Sequence, residues 1–281
     1  MGKIAVIGMV GNSAFLSVDH FHAEGETLAA DAIHFEPGGK GFNQAVAAAR
    51  HGGEVAFLGA VGTEYGKEIT DFLEKDRVIP VLPRKEGSTA FAAILTDAKG
   101  SNRVTVYQGV RLEVSDVEAF SSHIADADIL LLNNEVPQEV NDRAIRIAKA
   151  HNTYVNLNPA PARPLSAYIR DNVDLFTPNE HEHIGLEDRE NAIVTLGSKG
   201  CLWKAEGRTF PSLQIREAVD TTGAGDTFNG VLAAHLAAGA AMADAIPAAV
   251  NASGVSVTRK FAATAIPTAA EVAAYLQNRE A

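Results

Sequence analysis

The sequence predicts a three-layer α/β fold: a mostly parallel central sheet with helices on both faces, and a small β-sheet lid. Three observations predict it. Short apolar runs alternate with helix-period patterns along most of the 281 residues, and strands buried on both faces between helices form parallel sheets. Two stretches, at about 15–36 and 88–107, carry strand patterns with no helix between them. No Pro- or Gly-rich linker, repeat or low-complexity tract divides the chain. Residues 1–281 are therefore read as one domain, with those two stretches as its lid.

The elements follow in order. Lys3–Gly8 is a first buried strand, too short for a signal peptide. Apolar runs predict further strands at Val55–Gly59, Ile129–Asn133, Tyr154–Asn158, Asp174–Thr177 and Ala192–Leu196. Helix periodicity is expected over Phe42–His51, Tyr65–Lys75, Gln138–His151, Asp226–Ala238, Ala241–Thr258 and Ala269–Gln277. The Ala-rich stretch Val231–Ala249 is interrupted by His235, Gly239, Asp244 and Pro247, so no membrane span is expected.

Composition narrows the partners. A net charge of -11 argues against nucleic acid and anionic membranes. The single cysteine, Cys201, excludes an internal disulfide and suits the cytoplasm.

The chemistry concentrates in Asp220-Thr221-Thr222-Gly223-Ala224-Gly225-Asp226-Thr227-Phe228-Asn229-Gly230. A glycine turn opening a helix aims free N–H groups and the positive dipole end at one point, which binds anions. A carboxylate beside an anion hole repels phosphate. Asp226 makes sense there as a base that takes a proton from a hydroxyl, while the N–H groups of Gly223, Ala224 and Gly225 hold charge on a transferring phosphoryl group. Gly38-Gly39-Lys40-Gly41-Phe42-Asn43 opens another helix with donors for hydroxyl groups. Glu135 ends a buried strand, where a carboxylate is costly unless paired or used. Asn179 and Glu182 follow another strand, and Gly197-Ser198-Lys199-Gly200 a third. Ligands bind beyond the carboxyl ends of such strands. Neither G-x-x-x-x-G-K-[ST] nor a G-x-G-x-x-G after the first strand is present. His181 with His183, and His20 with His22, stand two apart without an evident third metal ligand.

The eleven-residue string resembles the signature of the ribokinase family, the phosphofructokinase-B type of carbohydrate kinases. Gly25-Glu26-Thr27, Gly38–Arg50, Asn158–Arg163, Thr177–Glu180 and Val257–Lys260 extend the resemblance over nearly the whole chain. It implies a ribokinase-like fold and an ATP-dependent kinase acting on a primary hydroxyl, most like the ribose-phosphorylating members. A fructokinase-like or nucleoside kinase is the alternative, and a sugar- or nucleotide-binding sensor the alternative of another class. By resemblance, Gly39, Lys40, Gly41, Asn43 and Glu135 grip the sugar with Asp226. Asn179, Thr195, Gly197, Ser198, Lys199, Gly200, Gly225 and a residue at Val250 or Asn251 hold ATP. Glu182 reaches Mg²⁺ through water, and Asp220, Thr222, Ser256, Arg259, Phe261 and Ala265 match a monovalent-cation site, in which K⁺ would bind.

Two departures stand out. Gly11 and Ser13 occupy places where the family carries an Asn-x-Asp pair that reads ribose hydroxyls. The 182–193 segment is trimmed by roughly twenty residues against the family pattern, more than loop variation needs. Val104, Val106, Ala92 and Ile94 suggest an apolar outer face on the lid, through which a homodimer would form.

Overall fold

The computed structural model describes residues 1–64, 67–99, 101–183 and 185–280. Six parallel strands form the central sheet, in the order Leu175–Phe176, Tyr154–Asn158, Ile129–Asn133, Lys3–Ile7, Glu54–Leu58, Ile79–Val81. Every residue of Ile129–Asn133 is buried, as a strand covered on both faces requires. Alternate side chains feed two apolar layers. Ile4, Val6, Phe57 and Leu131 pack with Val46, Val231 and Ala249 of three helices. On the other face, Ile7, Leu130 and Leu132 pack with Val140 and Ile145 of helix Gln138–Ala150.

Helices Lys40–Arg50 and Ala224–Ala237 lie against each other in the first layer. Gly230 permits their approach: a methyl group there would fall 2.3 Å from Gln44 O. This contact carries Asn43 and Gln44 up to Asp226.

Several expectations change. The helix expected from Tyr65 spans Glu68–Lys75, with Tyr65 and Gly66 outside the described residues. Ile193–Thr195 is not a full central strand; it opens an antiparallel sheet with Cys201–Trp203 and Arg208–Phe210, joined to the central sheet by bridges Phe176↔Ala192 and Asn179↔Thr195. The edge strand Ile79–Val81 was not expected, because Pro80 lies inside it and Pro fits only where its missing N–H is not needed. The described residues of the trimmed 182–193 segment lie mainly in turns and bends, with Leu186 buried in the second layer.

The lid has four strands in the order Ala32–Gly38, Gly11–Ser17, Ala90–Thr96, Asn102–Tyr107. The middle pair is parallel and the outer pairs antiparallel. It starts at Gly11, ahead of the expected Phe15. Register puts Glu36, Ser13, Ala92 and Val106 in one cross-strand row, and His34, Phe15, Ile94 and Val104 in the next. Ala92, Ile94, Val104 and Val106 line the cleft between lid and sheet. They are therefore not the outer face; Ile33, Phe35 and Tyr107, on the opposite face and 55%, 64% and 58% exposed, supply it. No helix among the described residues is long and apolar enough to cross a membrane.

Candidate active site

Helix Ala224–Ala237 starts on Gly223, whose φ of 76° is left-handed. The amides of Gly223 and Gly225 have no acceptor among the described residues. That of Ala224 reaches only Thr221 O, at 3.3 Å, so of the three expected anion donors two are open and one is loosely engaged. Asp226 lies in the first turn of the helix and is 6% exposed. Asn43 Nδ2 donates to its Oδ2 at 3.0 Å, and Gln44 Nε2 to its Oδ1 at 3.2 Å.

Three charged groups share this centre. Burial pushes the Asp226 carboxyl above its ordinary value, against the pull of Lys40 and of the Asn43 and Gln44 hydrogen bonds. The charge on Asp226 holds the Lys40 ammonium above its usual range. Burial, then the Asp226 charge, pushes Glu135 up to about 7. Glu135 Oε2 accepts the Lys40 backbone N–H at 2.7 Å, which fixes it over the start of helix Lys40–Arg50.

Two cavities meet here. One, of about 260 Å³, lies under the lid and is lined by Lys40, Asn43, Glu135, Gly223 and Asp226, with Gly11, Ser13, Gly39 and alkyl side chains of the lid closing it. Gly41 is buried where helix Lys40–Arg50 crosses the first strand, and a methyl group there would meet Gly8 Cα at 2.6 Å. The second cavity, of about 210 Å³, is lined by Asn179, Glu182, Thr195, Gly225 and Asn229. Lys40, Gly223 and Asp226 belong to both walls.

Beneath them runs a buried polar chain that the sequence reading did not single out. Gln44 Nε2 also donates to Asn158 Oδ1 at 3.3 Å, and Asn158 Nδ2 to Thr177 O at 2.8 Å. Thr177 Oγ1 donates to Asn229 Oδ1, whose Nδ2 donates to Gly225 O at 2.8 Å. The available signal was polar residues at helix positions that periodicity marks as core.

Asn179 and Glu182 cap each other: Asn179 N–H donates to Glu182 Oε2 at 3.0 Å, and Glu182 N–H to Asn179 Oδ1 at 2.9 Å. Glu182 Oε1 has no partner among the described residues, and Glu182 lines this second cavity. Gly197, Ser198 and Lys199 form one 3₁₀ turn closed by Gly200, at the exposed rim rather than in either cavity wall. Val250 is buried in the core, and Asn251 follows it on helix Met242–Ser256; neither lines the two cavities.

The expected cation set is only partly gathered. Asp220 Oδ1 accepts from Thr222 N and Oγ1, and Oδ2 from Phe261 N at 3.0 Å. Ser256 and Arg259 share a backbone hydrogen bond, and Ala265 closes a turn on Ala262. The Arg259 guanidinium is turned to Glu271, at 3.0 Å.

A proton acceptor on the wall between a sugar-sized cavity and an anion-binding turn, at the carboxyl edge of a parallel sheet, defines a small-molecule kinase. The model of the pfkB family carbohydrate kinases matches residues 1–269. A ribokinase of Lactococcus lactis is 34% identical, the match covering 100% of this chain and 99% of that protein. A deoxyribokinase of Salmonella typhi is 32% identical, over 99% of each chain. The crystal structure of a Thermotoga maritima ribokinase, 34% identical, superposes with a TM-score of 0.88 over 99% of this chain and 100% of that one. The chain belongs to the pfkB family of carbohydrate kinases and is a sugar kinase.

Proposed function

We propose that the protein transfers the γ-phosphoryl group of ATP to the primary hydroxyl of a pentose, with D-ribose as the reference substrate and ribose 5-phosphate as its product. The observation that carries this is the shared wall: Lys40, Gly223 and Asp226 face both cavities. The sugar lies under the lid, with Lys40, Asn43 and Glu135 on its hydroxyls. Asp226 takes the proton of O5 as that oxygen attacks. The amides of Gly223, Ala224 and Gly225 stabilise charge on the phosphoryl oxygens. Lys40 offsets the negative charge gathered at the centre.

Glu182 suits Mg²⁺, since it lines the cavity and one carboxylate oxygen is fixed by the Asn179 N–H while the other has no partner among the described residues. Bound there, the metal would supply positive charge that offsets the charge of the nucleotide phosphates. In the cation set only Asp220 offers a carboxylate, already shared among three donors. Asp220 would hold K⁺ there as an activator, whose charge would help orient the amides of the anion turn. Buried Cys201, its thiol pushed up to about 12 by burial, is unreactive, in keeping with a cytoplasmic enzyme.

A second substrate reading rests on the lid. Where the family reads ribose with Asn and Asp, this cavity has Gly11 and Ser13 beside Phe15, Ala92, Ile94 and Val104. Fewer acceptors and more alkyl surface favour a sugar lacking a hydroxyl, or a nucleoside, and one 32% identical relative is called a deoxyribokinase. ATP consumption across ribose, 2-deoxyribose, hexoses and nucleosides decides between them. Turnover with a pentose supports the proposal; turnover with none of the panel leaves a binding sensor in its place.

A further inference from the structure

Glu36 is a buried lid carboxylate that the reaction outlined above does not use. Its side chain is 2% exposed. Oε1 accepts the backbone N–H groups of Ala262 at 2.8 Å and Ala263 at 3.1 Å. Oε2 accepts Thr264 N at 3.1 Å and Thr264 Oγ1 at 2.8 Å. No Lys or Arg among the described residues pairs with it; His34 Nε2, at 3.4 Å, is its single ionisable neighbour. Four donors from three consecutive residues make an anion nest, filled by a side chain from a strand more than two hundred positions away.

The segment so gripped lies against the anion turn. A methyl group at Gly223 would stand 3.3 Å from Ala262 Cβ and 3.4 Å from its Cα, and Ala262 lines the sugar cavity beside Gly223 and Asp226. The preceding residue, Phe261, adopts φ 75°, a region that a bulky side chain rarely enters. Its N–H is held by Asp220, and its ring stacks on His34 at 3.8 Å and meets the Phe15 edge at 5.2 Å. The turn 261–264 is thus pinned between two carboxylates. Asp220 ties it to the stem of the anion turn, and Glu36 ties it to the lid.

We propose that Glu36 is a positioning residue for phosphoryl transfer: by gathering the amides of Ala262–Thr264 it presses that turn on Gly223 and holds the anion turn in register with the lid. Glu36 touches neither sugar nor nucleotide. It acts through Ala262 and Gly223 on the amides of the anion turn that receive the phosphoryl group. The proposal rests on the kinase reading, so its test includes a measurement independent of turnover.

The test compares the parent protein with Glu36→Gln, which keeps size and one acceptor but turns an NH₂ toward the Thr264 donors. Hydrogen–deuterium exchange is read over 221–227, 261–265 and, as an internal control, 129–133. The expected result is exchange about tenfold faster in the first two segments with the control unchanged. In steady-state kinetics kcat falls about tenfold while KM for ATP stays within about twofold, because a misplaced anion turn impairs the transition state rather than nucleotide binding. Glu36→Asp, one methylene shorter but still charged, recovers part of kcat and replaces the Gln variant if that does not fold. Unchanged exchange over 221–227 in a folded variant overturns the proposal. So does a kinetic loss confined to KM for the sugar, which would make Glu36 a mere support of the lid. A parent with no turnover on any sugar refutes the kinase reading instead, and exchange still decides the coupling.

Discussion

Gln44 Nε2 bridges Asp226 Oδ1 and Asn158 Oδ1, at 3.2 and 3.3 Å, so the carboxylate on the cavity wall is braced from below by the central sheet. Asn43 braces the second oxygen at 3.0 Å. Both braces come from one helix, and Gly230 brings that helix close enough. Gln44→Leu should remove one brace and leave two buried acceptors bare. We expect a stability loss of about 1–3 kcal/mol, read by urea unfolding, and a lower kcat. A variant as stable and active as the parent would show that the bridge is incidental.

Asp226→Asn keeps the shape and one of the two acceptor oxygens but cannot accept the sugar proton. Turnover should fall about 10²–10⁴-fold, while calorimetry still detects ATP and sugar binding. Near-normal kcat would remove Asp226 from the role of base.

Two neighbouring glycines should behave differently. Gly223 has left-handed φ and abuts Ala262, so Gly223→Ala should cost about 1–2 kcal/mol in stability as well as activity. A methyl group at Gly225 meets nothing within 4 Å and lines the phosphate cavity. Gly225→Ala should fold normally, with unchanged thermal unfolding, yet raise KM for ATP or lower kcat by intruding on the phosphates. Equal thermal losses in both variants would contradict this difference.

The pH profile should carry Glu135. Its pKa, raised by burial and then by the Asp226 charge from an ordinary 4.5 to about 7, means that the folded state keeps a proton the unfolded chain has released. Stability should therefore fall as pH rises from about 4.5 to about 7 and level off above. Sugar binding should move the other way, since only the ionised carboxylate accepts hydrogen bonds at both oxygens. An ascending limb in kcat/KM near pH 7, lost in Glu135→Gln, is expected; because Asp226 is coupled to it, the limb belongs to the pair. A limb that survives in Glu135→Gln assigns the titration elsewhere.

The lid dimer is a proposal with a corrected surface. Ile33, Phe35 and Tyr107 form an exposed apolar face. Sedimentation should show a dimer at micromolar concentration, and Phe35→Glu should return it to monomer. A parent that sediments as a monomer rejects the pairing.

Legibility in the sequence followed burial and chain distance. Ile129–Asn133 is read to the residue as a nearly unbroken apolar run, and Tyr154–Asn158 is read to the residue although Asn156 and Asn158 place amides on one of its faces. Helices Val114–Ala119, Ser121–Ala125 and Ala167–Asn172 are too short to display a helical period. Lid strands Ala90–Thr96 and Asn102–Tyr107 carry apolar residues on both faces, so alternation does not tell which face turns inward; hence the error over Ala92 and Val104. Asp226, Gly223 and Lys40 were legible because local glycine turns advertise anion chemistry. Gln44 finds Asn158 and Asp226 at 114 and 182 positions along the chain, and Glu36 finds Ala262–Thr264 at 226 to 228, distances that no local pattern encodes.

Lys40, Gly223 and Asp226 each line both chambers, so the two lie side by side. A single molecule joining a pentose to an adenosine oligophosphate would thread both chambers and compete with each natural ligand. Linking the halves raises the effective concentration of the second once the first is seated, so such a tethered inhibitor should outbind either half alone. Tether length, varied one phosphate at a time, would serve as a ruler for the gap that the transferred group crosses.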